Sequence, residues 1–421
     1  MLNKIRKGYH EYPATFWTLT GASFIDQVGG FLLFPFFALY LTKRYDVGMT
    51  EVGLLFTVFA VTGLVGGMFG GALTDKFGRR SLIIFGLVVS GGFSIVMGLV
   101  GSMKMFYVVA AISGIVGNAG GPARQAMVAD ILPPEKVTEG FGILRVSGNL
   151  AAVIGPALGG LLVSQGYLLL FIADAISSAI TAVIVYLVLP ETKPETPEDQ
   201  PEESLTETLG GYGRVFRDYV YMGFVFVSML MALVYFQMNS TLSVFLRDVH
   251  GVTDQRFGLI LSLNAAMVVL FQFWITRRIS GRPPFVMMAA GTLIYGIGFG
   301  MYGFIGGPMV YTLALAAMVI ITIGEMIVAP VGQALVAKLS PEEMRGRYMA
   351  LYGMSWSLPV AVGPLAAGYV MDNLDPHLVW YAAGMIALVA VAGFLTLHRR
   401  SGERIASVGI ESVKAASAVG N

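Results

Sequence analysis

Twelve runs of roughly 20 or more mostly apolar residues fill this chain, and runs of that length and composition belong in a bilayer. With soft edges they cover 14–41, 50–73, 81–101, 105–130, 138–164, 167–189, 218–246, 255–276, 284–305, 309–338, 343–371 and 377–397. Inside hydrocarbon a spanning segment must satisfy its own backbone N–H and C=O groups, so each run is expected to be a helix. Only 13% of the residues are charged, against roughly 25% in soluble domains. The expected fold is all-α and integral to a membrane, with twelve transmembrane helices. The first run follows Lys4, Arg6 and Lys7 but is long enough to cross, so it reads as a retained helix and not as a cleaved signal.

One connection differs from the rest. Residues 190–217 open with Pro-Glu-Thr-Lys-Pro-Glu-Thr-Pro-Glu-Asp-Gln-Pro-Glu-Glu, which is acidic, proline-rich and without apolar periodicity. It reads as a flexible linker between two six-helix bundles, 1–189 and 218–397, with a polar tail at 398–421 expected to be poorly ordered. The bundles are related by an internal repeat. The stretch from Pro122 to Glu135 aligns without gaps to Pro330–Glu343, 208 residues on, and the same offset carries Gly155-Pro156 onto Gly363-Pro364. Two parallel six-helix pseudo-repeats with a site at their interface is a transporter layout.

Lys and Arg set the orientation. With both termini cytoplasmic, twenty of them fall on the inner side and five (Lys43, Arg44, Lys104, Arg247, Arg256) on the outer, with Arg124 and Arg145 inside spans. A multi-pass protein of the cytoplasmic membrane is expected.

Several classes are set aside. There is no cysteine, hence no disulfide or thiolate site, and the four histidines are scattered, so no metal is expected. A net charge of +1 suggests no nucleic-acid partner. No phosphate-binding loop, zinc-protease motif or nucleophile elbow is present. The chain is therefore expected not to be an enzyme and to need no cofactor. A proton gradient as its drive, a monomeric state, and a small molecule, protons and membrane lipid as its partners are further expectations, which rest on the buried acids and the resemblance that follow and not on these absences.

Ionisable groups within spans are costly and point to function. Asp26 lies near the middle of the first run and Glu325 near the middle of the tenth, one in each repeat. A carboxyl group in apolar surroundings suits proton uptake and release. Arg124 in the fourth run and Arg145 in the fifth are candidate partners. Arg124 is expected to meet either an intramembrane acid or Asp130, and Asn149 shares the helix face of Arg145. Asp174, in the outer part of the sixth run, reads as structural. Runs 1, 7 and 11 bring Phe31, Phe34, Phe37, Tyr235, Phe236, Gln237, Met238, Asn239, Met354 and Trp356 toward a cavity, with Asn118 a further amide. Aromatics and methionines with a few amides make an adaptable surface for apolar ligands.

Between the second and third runs stands Gly70-Gly71-Ala72-Leu73-Thr74-Asp75-Lys76-Phe77-Gly78-Arg79-Arg80. It closely resembles the G-x-L-x-D-x-x-G-R-R/K signature of the major facilitator superfamily. Its second copy, Thr276 to Arg282, keeps the charge but no acid. Gly155-Pro156-Ala157-Leu158-Gly159-Gly160 resembles the antiporter motif of that superfamily, with Gly142 in place upstream but Ala151 where glycine is usual. Helix 4 departs from the pattern: Ser113 stands where many members carry arginine, and Arg124 lies eleven residues further in. The aspartate in helix 1 followed by aromatics, and Thr322-Ile323-Gly324-Glu325-Met326 with Arg345-Gly346-Arg347, look like bacterial multidrug exporters of the twelve-helix drug:proton antiporter branch.

The resemblance covers residues 14 to 397. It implies secondary active efflux of lipophilic or cationic compounds by alternating access, with Gly71, Asp75, Gly78, Arg79 and Arg80 as a gating motif. It also implies that Asp75 latches onto the start of helix 11. That start carries a capping pattern at Ser340-Pro341-Glu342-Glu343. The alternatives are proton-coupled import of a nutrient and export of a specific lipid or metabolite.

Overall fold

The computed structural model describes residues 11–117, 120–133, 136–193, 213–279, 281–341 and 344–418. Among them, twelve helices are long and apolar enough to cross a membrane. They are α1 (Ala14–Tyr45), α2 (Met49–Gly67), α3 (Arg79–Leu99), α4 (Met103–Ile131), α5 (Glu139–Val163) and α6 (Leu168–Val188). The second set is α7 (Tyr219–Asn239), α8 (Asp254–Ile279), α9 (Pro284–Phe304), α10 (Gly307–Val336), α11 (Arg347–Asn373) and α12 (Leu378–Ser401). The all-α, twelve-span fold expected from the apolar runs is what the chain forms.

Local chemistry explains the breaks in these helices. α1 is α-helical to Leu33, tightens to a 3-10 turn at Phe34–Phe36 and resumes at Phe37. Pro35 causes this, because its nitrogen has no proton to give to the preceding turn. α7 passes into a 3-10 turn at Phe236–Asn239, where Gln237 Nε2 donates to the Leu233 carbonyl and competes for the helical acceptor. A short helix, Thr241–Asp248, completes that pass. α2 continues as helix to Phe77 and turns directly into α3 at Gly78, whose φ of 93° favours glycine.

The tail is corrected. The last helix runs on from Leu378 to Ala418 instead of becoming irregular after His398. Alanine, glutamate and lysine, with no proline, keep helical propensity there.

The chain folds into two compact units. Unit 1 holds residues 1–196 together with 239–269 and 364–372. Its core gathers Phe16, Leu19, Leu82, Leu87, Met127 and Val185 where α1, α3, α4 and α6 meet. Unit 2 holds 197–238, 270–363 and 373–421. Its core is more aromatic, with Tyr221, Phe224, Phe285, Tyr348, Tyr352 and Phe394 at the meeting of α7, α9, α11 and α12. The segments 239–269 and 364–372 come from the second repeat by sequence but pack with the first.

Candidate transport site

In unit 1 the focus is Asp26. It projects from the unbroken part of α1, before Pro35, and its Oδ2 lies 2.9 Å from Arg124 Nη2 on α4. Ser178 Oγ on α6 donates to Oδ1 at 3.0 Å. Three helices thus converge on one carboxylate. The side chains of Arg124 and Asp26 keep 27% and 20% of their exposure, so protons can reach the pair. Loss of the Asp26 charge would release the guanidinium from its partner. Asp174, on the same helix as Ser178, accepts from Ser177 Oγ at its backbone carbonyl, 2.8 Å away.

Arg124 therefore meets the intramembrane acid. Asp130, its other expected partner, is bound instead by Arg79 Nε at 3.1 Å.

In unit 2 Glu325 is half-buried on α10, and its Oε1 accepts from Tyr235 Oη at 3.4 Å. Tyr235 stacks on Tyr295, with ring centroids 6.1 Å apart and planes 14° apart. Trp356 and Phe236 meet the Tyr235 ring edge-on at 5.7 and 5.9 Å. A carboxylate with phenols and an indole beside it can bind either a proton or an organic cation.

The other expected lining residues differ in burial. Gln237 and Met238 are buried. Phe37 is core, packed among Phe56, Phe59, Phe106 and Phe171. Phe34 stays 41% exposed against Phe56. Asn149, Asn239 and Phe31 are half-buried, and Met354 is exposed. The side chains of Arg145 and Asp75, with Asn118 and Gly71, lie outside the described residues, as does Glu342-Glu343. The contact of Asp75 with the start of α11 is therefore not among the features described.

The signature loop is closed by a residue that the linker reading passed over. Glu191, just past α6, accepts from the backbone N–H of Arg79 at 2.7 Å and of Arg80 at 3.3 Å, capping α3. Thr192 Oγ1 donates to Asp130 at 3.0 Å, and Lys193 Nζ donates to the Lys76 carbonyl at 3.0 Å. Arg80 donates to the Tyr186 carbonyl and lies over that ring. Burial works against the charge on Glu191, but the N–H groups of Arg80, Arg79, Thr192 and Ser81 outweigh it and hold its carboxyl below the usual range.

A carboxyl whose folded value is depressed adds stability above its unfolded value and loses it as pH falls through the folded one. Glu191→Gln is thus expected to cost about 0.5–1 kcal/mol at neutral pH, the low end for a lost cap. The difference should vanish in acid below the carboxylate range. Thermal unfolding of both proteins at neutral and acid pH checks it; a gap that persists in acid would mean that the charge is not what matters.

At the opposite end of unit 1 the helices are locked at backbone distance. A Cβ at Gly155 would lie 2.8 Å from Phe31 C, and one at Gly159 2.5 Å from the Leu32 carbonyl oxygen. The antiporter-like motif is thus the face that seats α5 on α1. Gly160 meets α8 at Gln255 and Gly258.

Asp372 caps α2: its carboxylate accepts from Met49 N at 2.8 Å, Thr50 N at 2.7 Å and Thr50 Oγ1 at 2.6 Å. Arg247 donates to the Leu39 carbonyl and to Thr42 Oγ1, and Tyr167 Oη donates to Asp254 at 2.5 Å. No local pattern ties Asp372 to Met49, 323 residues away, so sequence reading missed this cap.

The sequence matches the Major Facilitator Superfamily profile over residues 19–330 and 287–418. It is 25% identical over 410 residues to a "Na(+), Li(+), K(+)/H(+) antiporter" of Planococcus maritimus, covering 89% of this chain and 93% of that protein. It is 24% identical to the "Multidrug resistance protein MdtH" of Salmonella typhimurium, with 91% and 94% covered. Among solved structures, the nucleoside transporter NupG superposes with a TM-score of 0.75 at 15% identity, covering 91% of this chain and 99% of that one. A POT family transporter superposes with 0.78 at 16%, covering 94% and 98%. At those identities the structures speak for the fold alone.

Proposed function

Because the chain belongs to the Major Facilitator Superfamily, a family of membrane transporters, we propose that it is a proton-coupled antiporter that expels lipophilic or cationic small molecules by alternating access. The observation that carries this reading is the ion pair of Asp26 and Arg124, backed by Ser178, within a membrane span. A carboxylate that trades its guanidinium for a proton links protonation to a change in helix packing, and coupling needs that link. Relatives named for multidrug resistance and for cation/proton exchange support the antiport direction.

In this reading both termini face the cytoplasm. The substrate enters from the cytoplasm or inner leaflet, and protons arriving from outside drive its release outward. Glu325, beside Tyr235 and near Trp356, receives the substrate. A second reading, exchange of alkali cations for protons, is favoured by the Planococcus relative.

The test uses purified protein in liposomes with an imposed proton gradient. Wild type is compared with Glu325→Gln for a lipophilic cation dye, and separately for sodium. Gradient-driven dye movement, reduced roughly 10-fold or more in Glu325→Gln by the loss of the charge that attracts the cation, supports the first reading. Sodium movement without dye movement selects the second. Movement of neither sinks both, and nutrient import or lipid export then becomes the reading to pursue.

A further inference from the structure

The two copies of the signature loop have diverged in what their arginines touch. In unit 1 the protein itself uses them: Arg79 binds Asp130 and the Thr74 carbonyl, and Arg80 binds the Tyr186 carbonyl. In unit 2 Arg282 stands after Gly281 as Arg79 stands after Gly78, and two further arginines at the end of α8 lie over aromatic rings. The Arg277 guanidinium lies 5.6 Å from the centroid of the Phe273 ring, and that of Arg278 lies 5.1 Å from the Trp274 ring. Among the described residues, neither arginine nor Arg282 is in an ion pair. The rings are themselves bare, Phe273 being 73% and Trp274 58% exposed.

Direction matters. Each arginine sits four residues after its ring, so both side chains fold back along the helix toward the membrane-spanning part instead of reaching past the helix end into water. A tryptophan at the end of a spanning helix settles at headgroup depth, and Trp274 carries its neighbour Phe273 to that level. Two guanidinium planes resting on such rings therefore lie in the phosphate layer. Arginine suits that place, since it is more weakly hydrated than lysine and offers a planar fork to phosphate oxygens. The turn at Gly281, with φ of 78°, followed by Pro283 and Pro284, keeps exposed Arg282 at the same helix end.

We propose that Arg277, Arg278 and Arg282, with Phe273 and Trp274 as a platform, form a binding site for the phosphate of an anionic phospholipid. The occupant is a membrane lipid and not a soluble anion, because the rings and arginines stand at the end of a helix long and apolar enough to span, where phosphate headgroups lie. Lipid would take the place in unit 2 that Asp130 and Glu191 fill in unit 1. This site is independent of what the protein transports.

The experiment is native mass spectrometry of delipidated, detergent-purified full-length protein given phosphatidylglycerol or phosphatidylcholine. Wild type should retain phosphatidylglycerol in preference. The triple variant Arg277→Gln/Arg278→Gln/Arg282→Gln should lose that retention by roughly 100-fold, the effect of three arginines at an anionic surface. Phe273→Leu/Trp274→Leu, which keeps every charge, should lose it several-fold. Arg399→Gln/Arg400→Gln, two exposed arginines at the end of α12, should leave it unchanged. Equal retention by wild type and the triple variant overturns the proposal, and so does equal loss in the α12 control.

Discussion

Asp26→Asn is expected to abolish gradient-driven transport, lowering it by roughly 100-fold or more, while substrate exchange without a gradient survives. The amide keeps the shape of the carboxyl and can still receive Ser178 Oγ, which now stands 3.0 Å away. It cannot gain and lose a proton at physiological pH. The single variant has a side effect that must be separated out. Arg124 loses the partner that holds it at 2.9 Å, and breaking one side of a largely buried pair costs about 3 kcal/mol. Some loss of transport could then be mere instability.

The double variant Asp26→Asn/Arg124→Gln separates the two effects. With both charges gone the pair leaves no orphan, so thermal stability should return most of the way to wild type. Coupling should stay lost. Gradient-driven transport that survives in a stable double variant would remove Asp26 from the coupling step and move attention to Glu325.

The legible parts of this molecule were those written within one helix or one loop. Twelve spans followed from apolar length, and the break in α1 from Pro35. That Asp26 would need a partner followed from the cost of a carboxylate in a span. Its partner was only half legible: Arg124 offered two acids, and the choice between Asp26 and Asp130 turns on which faces of α1 and α4 meet. Glu191 was read as part of a linker because its neighbours include prolines and acids, yet it caps α3 from 112 residues away. The apolar lining was the least legible. Phe34 and Phe37 are three residues apart, and the 3-10 turn keeps both against the Phe56 ring, yet Phe37 is core and Phe34 is exposed, a difference of depth that spacing along one helix does not carry. The tail was misread for the opposite reason: its polar composition hid a good helical propensity.

Gly368→Val is expected to pry open the end of unit 1 away from the signature loop and to halt transport. A Cβ at Gly368 would stand 2.5 Å from Met49 C, and one at Gly53 2.6 Å from Leu365 N. These are backbone atoms, which cannot step aside as a flexible side chain can. Overpacking of this kind costs about 1–3 kcal/mol. The cheapest relief is for the end of α11 to leave α2, which also pulls Asp372 off Met49 and Thr50. Alternating access requires such an end to open and then close again, so a protein that cannot re-close it stops cycling.

The chain has no cysteine, which makes the measurement direct. Met49 is 2% exposed, so a lone Met49→Cys should react slowly with a water-soluble maleimide. Adding Gly368→Val should speed labelling by roughly 10-fold or more, since 1.4 kcal/mol is a factor of ten in the open population. Asp372→Asn should speed it about 5-fold, the loss of one charged cap being about 1 kcal/mol. If neither substitution changes the labelling rate, the contact is packing without a gate, and the opening that transport needs lies elsewhere.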